Sequence, residues 1–304
     1  MEKELREQFL KAFQQELGQQ VHLPNPSAPA LAELKWKTLP VAVGNQKGGC
    51  GKTTTAINLS ACLAEMGYSV LLIDLDPQAH ATLGLGFQGD ALDLTVYHLF
   101  MRPELKVLQV VLPTYHRNLK LLPANGLLAA AQVELLAVPG RERLLKNRLE
   151  ELTGYFQFVF IDCPPSLNIL TLNALTAALR LIVPIQTQYY SLDGMRELFK
   201  TIDRVKQNFN PGLEILGILP TLFDPRTRLN RAMLRALQEY FRGQIFQTAV
   251  LFNPALAESP IMGQPVTRYA PDSRGTKDYR RLAEEVIIRA AASHRFFESS
   301  TQAF

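Results

Sequence analysis

Val41-Ala42-Val43-Gly44-Asn45-Gln46-Lys47-Gly48-Gly49-Cys50-Gly51-Lys52-Thr53-Thr54 decides the fold of this chain. Val41, Ala42 and Val43 end a short apolar run, as a buried parallel strand would. Glycines at 48, 49 and 51 let the backbone turn tightly and present N–H groups to phosphate oxygens. Thr53 to Ala64 reads as a helix. Its N-terminus favours an anion, through unpaired N–H groups and the helix dipole. The usual phosphate loop, Gly-x-x-x-x-Gly-Lys-Ser/Thr, has one lysine just before the Ser/Thr. Lys52 fills that place, and Lys47 adds a second lysine five residues earlier. Lys52 is expected to reach the outer phosphates and the Thr53 hydroxyl to bind Mg²⁺.

From residue 39 onward, apolar strands alternate with helices. Expected strands are 39–44, 69–74, 118–122, 156–161, 180–185, 214–219 and 245–250, and expected helices 53–66, 141–152, 167–178, 192–208, 227–242 and 276–296. That alternation implies an α/β fold, a mostly parallel twisted sheet with helices on both faces. Residues 2–17 carry Leu5, Phe9, Leu10, Phe13 and Leu17 at helical spacing, opposite charges of both signs. This stripe could pack on its own domain, pair with another copy or dock a partner. Residues 18–38, with Pro24, Pro26 and Pro29, read as a linker. The chain thus divides into an N-terminal helix and linker (1–38), a P-loop α/β domain (39–296) and a tail (297–304).

Two further strands end in acids. Ser69-Val70-Leu71-Leu72-Ile73-Asp74-Leu75-Asp76-Pro77-Gln78 places Asp76 beyond the carboxyl end of a buried strand, where open parallel sheets bind ligands. Asp76 is expected to position the attacking water near Mg²⁺, and Asp74 to orient its neighbours. Phe158-Val159-Phe160-Ile161-Asp162 has the form of a Walker B element, whose carboxylate holds Mg²⁺. Cys163 reads as a packing residue. Gly84-Leu85-Gly86-Phe87-Gln88-Gly89 formally matches the dinucleotide fingerprint, but no strand directly precedes it. It reads instead as a flexible loop.

Composition sets limits. The 304 residues are 47% hydrophobic, enough for a substantial core. No apolar run is long enough to span a bilayer, and the charged start, Met1-Glu2-Lys3-Glu4-Leu5-Arg6-Glu7, is unlike a secretory signal. Cysteines at 50, 62 and 163 show no metal-type spacing and fit reduced thiols in a cytoplasm. A net charge of +4 is too modest to prove a nucleic-acid partner.

Taken together, Lys47-Gly48-Gly49-Cys50-Gly51-Lys52-Thr53-Thr54, Asp74-Leu75-Asp76-Pro77-Gln78 and Asp162-Cys163-Pro164-Pro165-Ser166-Leu167 resemble the deviant Walker-A P-loop ATPases of the ParA/MinD family. The likeness is greatest to the ParA/Soj partition branch. Asn173-Ala174-Leu175, Gln188-Tyr189-Tyr190-Ser191-Leu192-Asp193-Gly194 and Pro260-Ile261-Met262-Gly263-Gln264-Pro265-Val266 add to it. The resemblance implies ATP/ADP and Mg²⁺ as cofactors and an ATP-sandwich homodimer. It implies that Lys47 reaches the partner's phosphates, and that slow hydrolysis is stimulated by a ParB-like adaptor. The implied catalytic residues are Lys47, Lys52 and Asp76, and the implied metal residues Thr53, Asp76 and Asp162. Residues 47–54 are expected to bind the nucleotide.

Residues 226–242 offer a surface, with Arg226, Arg228, Arg231, Arg235 and Arg242 against Glu239 as the single acid. Arg226, Arg228, Arg231 and Arg235 suit phosphate contacts along nonspecific DNA without base reading. In the resembled family this region contributes to DNA binding, which implies a cytoplasmic, nucleoid-associated protein. One departure stands against it. Many chromosomal relatives have arginines where this chain has Leu251-Phe252-Asn253-Pro254-Ala255-Leu256. The alternative is a MinD-like membrane or cargo-positioning switch that does not use DNA. Membrane targeting is the weaker reading, since Val286 to Phe297 resembles a final domain helix and the 2–17 helix lacks a strongly cationic face.

Overall fold

The computed structural model describes residues 2–17, 38–187 and 191–301. Most of the 18–38 linker, residues 188–190 of the Gln188–Gly194 block and residues 302–304 lie outside the described residues. Chain order runs α1 (Glu2–Leu17), β1 (Leu39–Val43), α2 (Lys52–Glu65), β2 (Val70–Asp74), α3 (His80–Gly84), α4 (Val96–Met101), α5 (Val107–Val110), β3 (Leu112–Pro113) and β4 (Leu119–Leu122). It continues through α6 (Leu128–Glu134), α7 (Leu144–Glu150), β5 (Phe158–Asp162), α8 (Ile169–Ala177), β6 (Arg180–Gln186), α9 (Ser191–Asn208), β7 (Glu214–Thr221), α10 (Arg228–Tyr240), α11 (Pro254–Glu258), α12 (Val266–Tyr269) and α13 (Arg274–Thr301). The last helix therefore runs past 296 into the segment expected to be a tail.

The sheet order is β3-β4-β2-β5-β1-β6-β7. Every pairing is parallel except that of β3 with β4. Alternate side chains of the central strands enter two cores. Val41, Val43, Leu72 and Phe160 join the core that includes residues of α2 and α13. Ala42, Leu71, Ile73 and Ile161 join the one that includes residues of α8, α9 and α10. Burial on both faces explains why these strands read as continuous apolar runs rather than alternating ones.

Two expectations need correction. Residues 245–250 form no strand; isolated bridges at Ile218↔Ile245 and Phe223↔Leu251 take its place. The Arg289 guanidinium donates to the carbonyls of Leu216, Gln244 and Ile245, and the Gln244 carbonyl also accepts the Ile218 N–H at 2.8 Å. The Phe246 ring lies across β7 at Gly217, where a built Cβ would meet it at 2.4 Å. The Gly84–Gly89 segment is a packed turn rather than a loose loop. A Cβ at Gly84 would lie 2.5 Å from Ile57, and one at Gly86 3.1 Å from the Gly263 carbonyl. These glycines serve close packing, so the dinucleotide fingerprint is rightly set aside.

The described part of the N-terminal stripe, Leu5, Phe9 and Leu10, packs on the chain's own body, on a helix that contacts α10 and α9, while the Phe13 and Leu17 side chains lie outside what the structure describes. Phe9 is 1% exposed and joins the core there, with Leu5 and Leu10 half-buried beside it. Burying one phenylalanine contributes roughly 1.5–3 kcal/mol, which holds a short helix that would be marginal alone.

Candidate nucleotide site

The sheet order brings the three motifs to one edge. β1 lies between β5 and β6, so the loop that leaves Val43 emerges beside the end of β5. Val43 is the register partner of Asp162, and Asp162 of Asp74 on β2. Residues far apart in the chain thus meet at the carboxyl ends of three adjacent strands.

The loop is held from outside and left open inside. Asn45 Nδ2 donates to the Pro184 carbonyl at 2.7 Å, Gln186 Nε2 to that of Gly49 at 2.6 Å, and Thr221 Oγ1 to that of Cys50 at 2.9 Å. Gly51 has φ +86 and starts α2, and Gly49 has φ +68, both in the left-handed region that favours glycine. No atom lies within 4 Å of a Cβ built on Gly48. Cys50 is fully buried. Burial raises the Cys50 and Cys163 thiols, consistent with packing rather than reactivity. Lys52 is 7% exposed and curls back, Nζ donating to the Lys47 carbonyl at 3.0 Å.

The acids divide by environment. Asp74 is fully buried and fully engaged: Oδ1 accepts from the Asp76 N–H at 3.1 Å, and Oδ2 from the Thr82 N–H and hydroxyl, each at 2.8 Å. It braces the turn that carries Asp76, whose Oδ1 accepts from the Gln78 N–H at 2.9 Å. Asp162 is equally buried, yet neither carboxylate oxygen has a hydrogen-bond partner among the described residues. Burial raises its pKa well above the usual carboxylate range and Asp74 adds to the rise, while the nearby Thr53 hydroxyl and Lys52 act the other way. A buried, unpaired carboxylate is costly unless a cation compensates it.

Beside the loop lies a cavity of about 450 Å³. Its lining combines Gly48, Gly49, Gly51, Lys52, Thr53, Thr54 and Asp76 with Gln78, His80, Pro165, Leu222, Val250, Phe252, Asn253, Leu256 and Tyr279. The volume is that of a small-molecule site, and a lining that joins a phosphate loop to apolar and aromatic side chains suits a nucleotide. Apart from Gln78 and Pro165, the lining residues outside the loop and Asp76 carry no sequence signal as site residues. They come from separate loops and helices, and the 251–256 segment stood out only for the arginines it lacks.

The glycine cradle, the oriented Lys52 and the orphaned Asp162 fit a nucleotide with Mg²⁺. A family model described as an AAA domain matches residues 38–215. The sporulation initiation inhibitor protein Soj of Bacillus subtilis is 42% identical over 246 residues, covering 81% of this chain and 97% of that protein. The chain belongs to the ParA/MinD family of ATPases. The chromosome-partitioning ATPase Soj of Thermus thermophilus is 44% identical, covering 84% of this chain and 98% of its own. The crystal structure of cobyrinic acid a,c-diamide synthase from Mycobacterium smegmatis with bound ADP and magnesium is 41% identical, with a TM-score of 0.68 and coverage of 81% and 93%. As a ParA/MinD protein, this chain is a Mg²⁺-dependent ATPase that takes ATP and ADP.

ParA/MinD membership does not itself settle the arginine surface. Thr227 caps α10, accepting from the Asn230 N–H. Arg226 precedes the helix and pairs with Asp224 at 2.8 Å, while its side chain stays 85% exposed. Arg228 is exposed on the first turn. Arg231 and Arg235 are partly solvated but ion-paired within the chain. They lie along the seam between α10 and α1, where both meet the Glu2 carboxylate, at 3.3 and 2.9 Å. Next along the seam, Arg6 of α1 pairs with Glu239. No helix among the described residues is long and apolar enough to cross a membrane.

Proposed function

We propose that this chain is a ParA-like partition ATPase that dimerises on ATP, binds nonspecific DNA, and is released when a partner stimulates hydrolysis. The observation that carries the reading is the division of labour between the two loop lysines. Lys52 is buried and turned into its own loop, whereas the half-buried Lys47 has no ion pair or side-chain hydrogen bond among the described residues. A second cation at the rim of a phosphate cradle suits the phosphates of a facing copy, as a charge supplied in trans. The high identity to two Soj proteins supports the same assignment.

Within the site, residues 47–54 cradle the phosphates, their backbone N–H groups and Lys52 offsetting the charge. Thr53 and Asp162, with Asp76 beside them, would hold Mg²⁺, which when bound would neutralise charge on the outer phosphates. Asp76, braced through Asp74, orients the attacking water. Lys47 makes a complete site depend on two copies, so nucleotide state sets oligomeric state. Arg226, Arg228, Arg231 and Arg235 contact DNA phosphates without reading bases. The protein acts in the cytoplasm on the nucleoid, with a ParB-like adaptor as activator and a plasmid or chromosome as cargo.

A gel shift with nonspecific duplex tests this, with ADP in one arm and a slowly hydrolysed ATP analogue in the other. Retardation with the analogue alone is expected. Equal retardation with both, or nucleotide-dependent binding to liposomes and not to DNA, contradicts it.

A further inference from the structure

The N-terminal helix occupies the surface to which the preceding reading assigns DNA. Glu2 places one carboxylate between two guanidiniums: Oε1 is 2.9 Å from Arg235 Nη1, and Oε2 is 3.3 Å from Arg231 Nε. A carboxylate in that position occupies the place a backbone phosphate oxygen would take. Arg231 is also fixed from behind, its Nη1 donating to the Pro225 carbonyl at 2.7 Å, so its guanidinium is preset for an anion. One negative charge shared by two positive ones leaves the seam net cationic. The side chains remain accessible, at 24% for Glu2, 35% for Arg231 and 61% for Arg235. Such a contact is easily exchanged for another anion. The apolar anchor is separate: Phe9, 1% exposed, two turns along α1.

We infer that α1 is a displaceable cover over the DNA-contacting arginines, its Glu2 carboxylate competing with duplex phosphates for Arg231 and Arg235. The inference rests on the DNA reading of α10. Phe9 sets where the cover docks, and Glu2 sets how strongly it competes. DNA therefore binds against a cost that a shift of α1 removes, and anything that captures α1 in its undocked form strengthens attachment to DNA.

The test uses the full chain loaded with a slowly hydrolysed ATP analogue, with nonspecific duplex titrated at several salt concentrations. Glu2→Gln keeps Phe9 in place and removes only the competing charge. It is expected to tighten DNA binding by about three- to tenfold, and to steepen the salt dependence by the release of about one to two further counterions. Phe9→Ala, which loosens the docked helix, should move both in the same direction. Hydrogen exchange at the amides of residues 3–12 should speed up when DNA is added. Arg231→Ala/Arg235→Ala separates the two possible failures. If that double variant weakens DNA binding while Glu2→Gln leaves affinity and salt slope at the wild-type values, the cover is refuted and the DNA surface stands. If the double variant binds DNA like wild type, the DNA reading of α10 falls and the cover falls with it.

Discussion

Asp74 and Asp162 are register partners on β2 and β5, yet Asp74 is fully hydrogen-bonded while neither Asp162 oxygen meets hydrogen-bond geometry among the described residues, with the Thr53 hydroxyl nearby. Parallel strands present both carboxylates at the same level of the sheet. What differs is the next segment of chain. After Asp74 the chain turns back, and Asp76 and Thr82 return donors to it. After Asp162 the chain runs into Cys163-Pro164-Pro165, where the two prolines have no N–H to offer. One acid becomes a brace, and the other is left for a cation.

Asp162→Asn should therefore separate stability from function. Removing a buried, unpaired carboxylate should leave the nucleotide-free Tm unchanged or raise it, while Mg²⁺-ATP hydrolysis falls by about 100-fold or more. The sign with pH follows from the raised folded pKa. Stability from binding that proton is fully present below the unfolded carboxylate value and is lost as pH rises through the folded one. The Tm advantage of the variant should then grow from acid towards neutral pH. Scanning calorimetry across pH reads this directly, and a variant markedly less stable than wild type at neutral pH would contradict it.

Asp74→Ala should behave in the opposite way. It leaves the Asp76 and Thr82 donors without an acceptor, costing about 1–3 kcal/mol of stability. ATP binding should survive, because residues 47–54 are untouched, while kcat falls as Asp76 loses its brace. Chemical denaturation and a nucleotide-binding titration on the same variant check both parts.

Lys52→Ala removes the buried ammonium of the loop. A charge-assisted contact of about 1.5–3 kcal/mol corresponds to a loss of roughly ten- to a hundredfold or more in ATP affinity. Fluorescent nucleotide titration measures it, and unchanged affinity would overturn the loop assignment.

Gly51→Ala tests backbone geometry alone. The nearest atom to a Cβ there, Thr221 Cγ2, is at an ordinary 3.7 Å, so space is not limiting. At φ +86 the left-handed conformation costs an alanine roughly 1–2 kcal/mol. A Tm lowered by several degrees and weakened nucleotide binding are expected.

Much of this was legible in the sequence because the chemistry is contiguous there. Lys47 to Thr54, Asp74 to Gln78 and Asp162 each sit where a buried strand ends, and the sheet needed only to place the three strands together. The other features depend on long-range packing. β3 has two residues, Leu112 and Pro113, too few for any periodicity to register. Residues 245–250 have strand-like composition, but the segment meets β7 only through isolated bridges, with the Phe246 ring packed across Gly217. The cavity wall of Phe252, Asn253 and Tyr279 is assembled from segments that carry no common pattern. The stripe on residues 2–17 announced a docked helix without naming its partner. That Glu2 meets Arg231 and Arg235 follows from a fit between surfaces far apart in the chain.

On the proposed function, Lys47 couples ATP to dimerisation. Asp76→Ala, which removes the residue assigned to orient water, should bind ATP, fail to hydrolyse it, and sediment as a dimer with Mg²⁺-ATP and as a monomer with ADP. The decisive measurement is sedimentation velocity on Asp76→Ala with and without Lys47→Ala, in Mg²⁺-ATP, with bound nucleotide quantified. A monomer that still holds ATP is expected when Lys47 is replaced. A double variant that dimerises as completely as Asp76→Ala alone would contradict it.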